Sequence, residues 1–300
     1  MMNVGGKNLE IRGRLVRIAR VASEGFEFLG DPEPVLEGLR VSETRVDLLS
    51  FMQRLPETVP NYSYPMEWDN LAALPVSTFE TWWNKQVDGK TRNLIRKSEK
   101  KGLVVRDVPF DDVLVNGIWQ IYNECPVRQG RPFPHYGKDV ETVRKISATF
   151  MDTSIFIGAF LGEKLIGFAK LTTDEARSQA AVMHILAMVE QRDKSPMNAL
   201  IAQAVRACSE RGIPYLVYSK FAYGKKQQDS LSNFKESNGF QRINLPRYYI
   251  PLTPIGHIAL RLGLHHSFVD RVPEAALTKF RELRNAWYNR KLQSVAEASS

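Results

Sequence analysis

Cysteine is nearly absent from this 300-residue chain. Cys125 and Cys208 are too few for a disulfide framework, and no Cys/His cluster shows the spacing of metal ligands. Cys125 beside Pro126 also stands outside any Cys-His-Asn arrangement, so a thiol nucleophile is not expected. No apolar run approaches the roughly 18 residues that cross a bilayer, and the opening "MMNVGGKNLEIRGR" lacks an apolar signal core. There is no tandem repeat, low-complexity tract or coiled-coil heptad. These absences lead to the expectation of a cytoplasmic, metal-free globular protein.

The chain does carry positive charge. Forty-one basic residues outnumber 33 acidic ones, giving a net charge of +8. The surplus gathers in 85–101, in 219–250 and in the tail from 254. Such a surplus favours polyanionic partners: nucleotide phosphates, tRNA or an anionic membrane face.

Strand signals dominate the first 88 residues. "IRGRLVRIARV" reads as one long strand, "FEFLG" as a short one and "VDLLSFMQRL" as another, divided by Pro32, Pro34, Pro56, Pro60 and Pro65. The text then turns helical from "STFETWWNKQ" through "TRNLIRKSEKKG", with Gly102 as its stop. "LVVRDV" follows as a strand, and "DDVLVNGIWQIYNE" as a helix on which Val113, Ile118, Ile121 and Tyr122 share a face. "VETVRKISATFM" is a second helix. "SIFIGAF" and "KLIGFAKLTT" form a hairpin around Gly162, with "QAAVMHILAMV" beside them. Ser195 is a good N-cap and Pro196 suits the first helical position. Behind them Met197, Leu200, Ile201, Ala204, Val205 and Cys208 repeat at the spacing of a buried face. "GIPYLVYSKF", the helix "LSNFKESNGF" and the strand "FQRINLPRYYIPL" complete the unit. The expected architecture is α/β (α+β): one mixed, mostly antiparallel sheet over about 103–250 with helices on both faces. It divides into a strand-rich N-terminal subdomain (1–88), a main α/β domain (89–252) and a basic helical tail (253–300).

The basic helix "TRNLIRKSEKKGLVV", the hairpin "FIGAFLGEKLIGFAKL" and "NALIAQAVRACSERGIPYLVY" followed by "NFKESNGF" together resemble the GNAT acyltransferases. More narrowly they resemble the Fem-type (FemAB-like) aminoacyl and acyl transferases of cell-envelope and polysaccharide biosynthesis. The resemblance implies transfer of an acyl group onto an amine, the donor being aminoacyl-tRNA or acyl-CoA and no cofactor being tightly held. It places Phe234 and Lys235 at the carbonyl under attack, where a fixed ammonium would stabilise the oxyanion. Coenzyme A users of this fold carry a glycine-rich loop before the central helix, whose amides cradle the pyrophosphate. The corresponding "RDKSPMN" keeps Arg192 but sets Ser195 and Met197 in place of small residues, and Pro196 removes an amide. Arg192, Ser195 and Asn198 mark that cofactor position.

Other candidates come from the residues themselves. Arg92, Arg96, Lys97 and Lys100 lie on one helix and suit a phosphate-binding ridge for a nucleotide-linked or lipid-linked acceptor, or a tRNA stem. The loop "CPVRQGRPFPHYGKD" offers Arg128, Arg131, His135 and Tyr136 to an anionic acceptor. Tyr218 and Tyr223 suit a proton relay or the acyl pocket. The amphipathic tail fits packing onto the domain, peripheral contact with the inner membrane face, or a tRNA brace. Two further readings stay open: an acyl-CoA-dependent N-acyltransferase, and a catalytically silent module that binds RNA or an anionic precursor.

Overall fold

A computed structural model describes residues 1–128, 130–222 and 230–266. The elements run β1 (Met2–Val4), β2 (Lys7–Arg12), β3 (Ile18–Val21), α1 (Glu33–Arg40), β4 (Leu48–Met52) and β5 (Met66–Pro75). Then come α2 (Phe79–Thr81), a π turn (Trp82–Gln86), α3 (Gly89–Lys100), β6 (Leu103–Val108), α4 (Asp112–Asn123), β7 (Val127–Arg128), β8 (Arg131–Pro132) and α5 (Val140–Ser147). The chain continues through β9 (Ser154–Leu161), β10 (Lys164–Thr173), β11 (Ala180–Ala187), α6 (Pro196–Glu210), β12 (Tyr215–Val217), α7 (Ser230–Ser237), β13 (Gln241–Pro251) and α8 (Pro254–Arg261).

Eleven strands form one sheet in the order β1-β2-β3-β4-β13-β5-β12-β11-β10-β9-β6. All pairs are antiparallel except β3 with β4 and β11 with β12. The sheet expected over 103–250 therefore takes in β1 to β5 as well, because β13 pairs with β4 on one edge and β5 on the other. Neighbouring residues on a strand point to opposite faces, and β10 shows which helix covers each. Phe168 meets Tyr122 of α4, whereas a side chain at Gly167 would touch Leu200 of α6. The largest apolar cluster joins α4 and α6 through β9 to β12, and a second packs α1 against β2 to β4 and β13.

Several expectations need correction. "IRGRLVRIARV" is two strands, because Gly13 takes a φ of +96° and a Cβ there would lie 2.0 Å from the Val16 carbonyl oxygen. Only a turn fits that geometry. "FEFLG" forms no strand among the described residues; Glu27 makes an isolated bridge to Glu24. Val113 is 70% exposed, since the buried face of α4 runs through Leu114, Val115, Ile118, Ile121 and Tyr122. Ser195 does precede the longest described helix, but with a left-handed backbone (φ 49°) and no side-chain cap. Its carbonyl, rather than its hydroxyl, accepts from Asn198 N–H (3.2 Å). Met197 is only half-buried, and Ala199, Ala202 and Ala207 fill the face beside the expected residues. The tail from 267 onward lies outside the described residues.

Candidate active site

β11 and β12 pair in parallel at only two positions, Ala180 with Leu216 and Ala181 with Val217. Beyond them β12 stays with β5: Tyr218 N–H donates to Ala72 O, and Ala72 N–H to Ser219 O, both at 2.8 Å. The β12-side edge of β11 from Val182 to Ala187 therefore has no strand partner among the described residues. A gap opens within the sheet, edged by backbone groups able to hold an extended ligand. α6 begins at the end of β11, and α7 lies against the end of β12.

At this end of β12 the "FKESNGF" segment takes its place. Gly239 ends α7 with φ +89°, and a Cβ there would press on the Gln86 backbone at 3.2 Å. The Trp82 indole N–H donates to Asn238 O (2.9 Å), and Asp88 N–H to Ser237 O (3.1 Å). So clamped, α7 directs Lys235 inward. This lysine is 0% exposed, contrary to the cleft or surface position its charge suggests. Its Nζ donates to Lys220 O (2.5 Å) and stands 5.0 Å above the Tyr218 ring. Phe234 is half-buried and meets Tyr218 edge-on, with ring centres 6.4 Å apart. Asn238, wholly buried, donates through Nδ2 to Asn198 Oδ1 (3.1 Å) and Phe234 O (2.7 Å). Its Oδ1 is a buried acceptor without a donor among the described residues.

The loop between β11 and α6 is closed by its own contacts. Glu124 at the end of α4 accepts from the amides of Val189 (2.8 Å) and Glu190 (3.0 Å). The amides of Gln191, Arg192, Lys194, Ser195 and Asn198 go to nearby carbonyls. Few remain for a pyrophosphate, and a carboxylate already stands where an anion would bind. Arg192 is exposed, and Ser195 and Asn198 are half-buried.

Arg128 completes this lock. Its guanidinium donates to Ala187 O (2.8 Å) and Ile121 O (2.6 Å) and pairs with Glu124 (3.0 Å). It is engaged within the protein, whereas Arg131 and Tyr136 of the same loop are exposed. His135 turns inward, stacking on Tyr122 at 4.5 Å and meeting His184 edge-on at 6.5 Å. Lys170, paired with His184 across β10 and β11, is fully buried. Its ammonium donates to the carbonyls of Ser147 (2.8 Å) and Thr149, closing the end of α5. Burial lowers the Lys170 pKa to about 8 and Tyr122's phenol rises to about 12 for the same reason.

Burial first, then the Lys170 and His135 charges, push His184 down to about 4. The unfolded chain takes up this proton near the ordinary 6.5, and the folded chain only near 4. The stability contributed by neutral His184 is therefore complete above 6.5 and is lost as pH falls from there toward 4. Denaturant titrations across that window should show His184→Gln losing less stability on acidification than the parent. Parallel curves would show that His184 does not govern the acid limb.

The basic helix divides by position. Arg92 caps the π turn through Trp83 O (2.9 Å) and Asn84 O (3.3 Å). Arg96 is exposed and lies 5.4 Å over the Trp83 ring, beside a groove of about 430 Å³ between α3, α6 and β6. Lys97 and Lys100 face solvent. Tyr223 lies outside the described residues. Tyr218, Phe234, Lys235 and Asn198 thus come together at the gap, while the α3 cations and the 131–136 loop occupy separate surfaces. Sequence reasoning missed Glu124, His184 and Asn238. Asn238 lies within "NFKESNGF", but its Asn-Gly pair reads as helix-ending grammar.

No family model matches the chain, and no curated protein does. Solved structures do. The C-terminal domain (DUF2156) of a protein described as a lysylphosphatidylglycerol synthetase from Agrobacterium fabrum superposes with a TM-score of 0.55. It is 15% identical, over 84% of this chain and 82% of that one. L-PGS from Bacillus licheniformis gives 0.54 at 13% identity, over 84% and 83%. FemX gives 0.50 at 11%, over 79% and 72%. The chain shares the fold of these proteins, a mixed, mostly antiparallel sheet with helices packed on it. Among the described residues no helix is long and apolar enough to cross a membrane.

Proposed function

We propose that the chain transfers an acyl or aminoacyl group onto an amine of an anionic cell-envelope, polysaccharide or nucleotide-linked precursor. One observation carries this reading: the sheet opens between β11 and β12 where Lys235 is held in place beside Tyr218 and Phe234. An amine attacking an ester or thioester carbonyl creates an oxyanion. An ammonium fixed in a desolvated setting stabilises that charge far better than one in water, and needs no reorganisation as the charge develops. Phe234 shapes the acyl side of the gap.

The donor favoured here is an aminoacyl ester, as on tRNA. The β11–α6 loop supports this choice, because Glu124 and local carbonyls take the amides that a coenzyme A pyrophosphate would need. Arg96, Lys97 and Lys100 are exposed on one helix away from the gap, where they suit phosphates distant from the acceptor's amine. One structural neighbour's name, lysylphosphatidylglycerol synthetase, joins an amino acid to an anionic lipid, consistent with work at the inner membrane face.

Thermal denaturation with coenzyme A, an acyl-CoA and a 3′-aminoacyl adenosine analogue tests the donor. A ligand that binds the folded chain raises the midpoint by mass action, and the aminoacyl analogue should do so while coenzyme A does not. Low-micromolar coenzyme A affinity in calorimetry would move the reading to an acyl-CoA-dependent N-acyltransferase. Co-purifying RNA without any transfer activity would favour a silent binding module.

A further inference from the structure

Gly263 (φ +65°) turns the chain after α8, and Leu264 N–H closes that turn on Ala259 O (2.7 Å). Two consecutive histidines are thereby laid over Glu67 of β5. His265 Nε2 is 2.9 Å and His266 Nε2 3.1 Å from the same carboxylate oxygen, Glu67 Oε1. One potential ligand atom from each of the three residues lies within 4.8 Å of the others. The positions are fixed: the His265 side chain is 3% exposed, packs on the Tyr249 ring at 4.5 Å and meets the His266 ring at 4.0 Å. His265 Nδ1 is buried and has no partner among the described residues, so Nε2 is the ring nitrogen turned toward Glu67.

We propose that Glu67, His265 and His266 bind a divalent transition-metal ion of the zinc type, with water completing the coordination. Two imidazoles and one carboxylate are a borderline donor set that suits zinc and disfavours calcium or magnesium. Zinc–nitrogen and zinc–oxygen bonds of about 2.0–2.2 Å in a tetrahedron set ligand atoms roughly 3.3 Å apart. The two nitrogen–oxygen distances need widen by only a few tenths of an ångström. The surrounding cavity, about 240 Å³, also contains Arg20, Asp69, Lys220 and Arg247. Two of its three cations are already neutralised: Asp69 pairs with both Lys220 and Arg247, and Glu24 also holds Arg247. The metal would fasten the turn after α8 to β5, two residues from Asp69. Spacing along the chain could not show this site, since Glu67 and His265 are 198 residues apart.

The test uses the purified full chain, stripped with a chelator and titrated with zinc chloride by calorimetry. The expected result is one zinc per chain at micromolar affinity or tighter. Cobalt(II) should give the intense visible absorption of a tetrahedral site. His266→Ala and Glu67→Gln, checked for folding by circular dichroism, should each weaken zinc binding at least about tenfold and abolish the cobalt spectrum. His266 is well exposed, so that variant spares the core. Absence of stoichiometric zinc binding, a weak octahedral cobalt spectrum, or unchanged affinity in both folded variants would overturn the proposal. These readouts involve no transfer reaction and stand apart from the tests of the proposed activity.

Discussion

Lys235→Met should lower turnover by on the order of a hundredfold while leaving acceptor binding nearly intact. In the proposed mechanism the ammonium meets the oxyanion mainly in the transition state. The substitution removes a buried charge but also the donor to Lys220 O, and a hydrogen bond from a charged group contributes roughly 1.5–3 kcal/mol. Methionine has similar length and keeps the contact with Tyr218, so the fold should persist with modest loss. Arg96→Ala should do the reverse, raising the acceptor KM with a smaller effect on kcat, as expected for uniform binding of a phosphate. Steady-state kinetics on folded protein separates the two. Unchanged turnover in Lys235→Met would reduce this lysine to a structural role.

The largest loss of stability should follow Arg247→Met. Arg247 lies on β13 between β4 and β5, with a side chain only 9% exposed. It donates to Asp69 Oδ2 (2.9 Å) and to both oxygens of Glu24 (2.9 and 2.7 Å). These two carboxylates hold its guanidinium charged well above the ordinary range despite the opposing effect of burial. Removing the arginine leaves two mostly buried acids facing one another, with Lys220 still on Asp69. Breaking a buried ionic network from one side costs about 3–5 kcal/mol. Urea unfolding should show that loss, and adding Glu24→Gln should recover part of it by removing the stranded charge. A cost below about 1 kcal/mol would mean that water or a shifted Lys220 replaces the guanidinium.

Most of the chain from residue 103 to 251 was legible because its local signals agree. "LVVRDV" is β6 residue for residue, Gly162 makes the β9–β10 turn, and the apolar stripe behind Pro196 is the buried face of α6. The first half was less legible, because its strands are completed from far along the chain. Nothing near "LLSFM" or "MEWDNLAALP" reveals that residues 241–251 lie between them. The site divides in the same way. Phe234, Lys235 and Tyr218 were visible because one motif and one strand end carry them. Glu124 reaches its amides across 65 residues, and His184 owes its character to the burial and neighbours that folding provides. The inward turn of Lys235 was present in the spacing, three residues from both Ser232 and Asn238, which are also buried, but its charge reads as solvated.

The placement of β13 bears on how the protein is made. As the chain leaves the ribosome, β4 and β5 emerge early, each with an edge meant for a strand about 190 residues from the end of β4. At about 5–20 residues per second, those edges wait on the order of ten to forty seconds for their partner. During that time an apolar strand such as "LLSFM" can pair with a neighbouring nascent chain instead. Slower synthesis lengthens the exposure. Yield of the native protein should therefore depend on translation speed and on chaperones that shield strand edges, even under conditions where the finished molecule is stable.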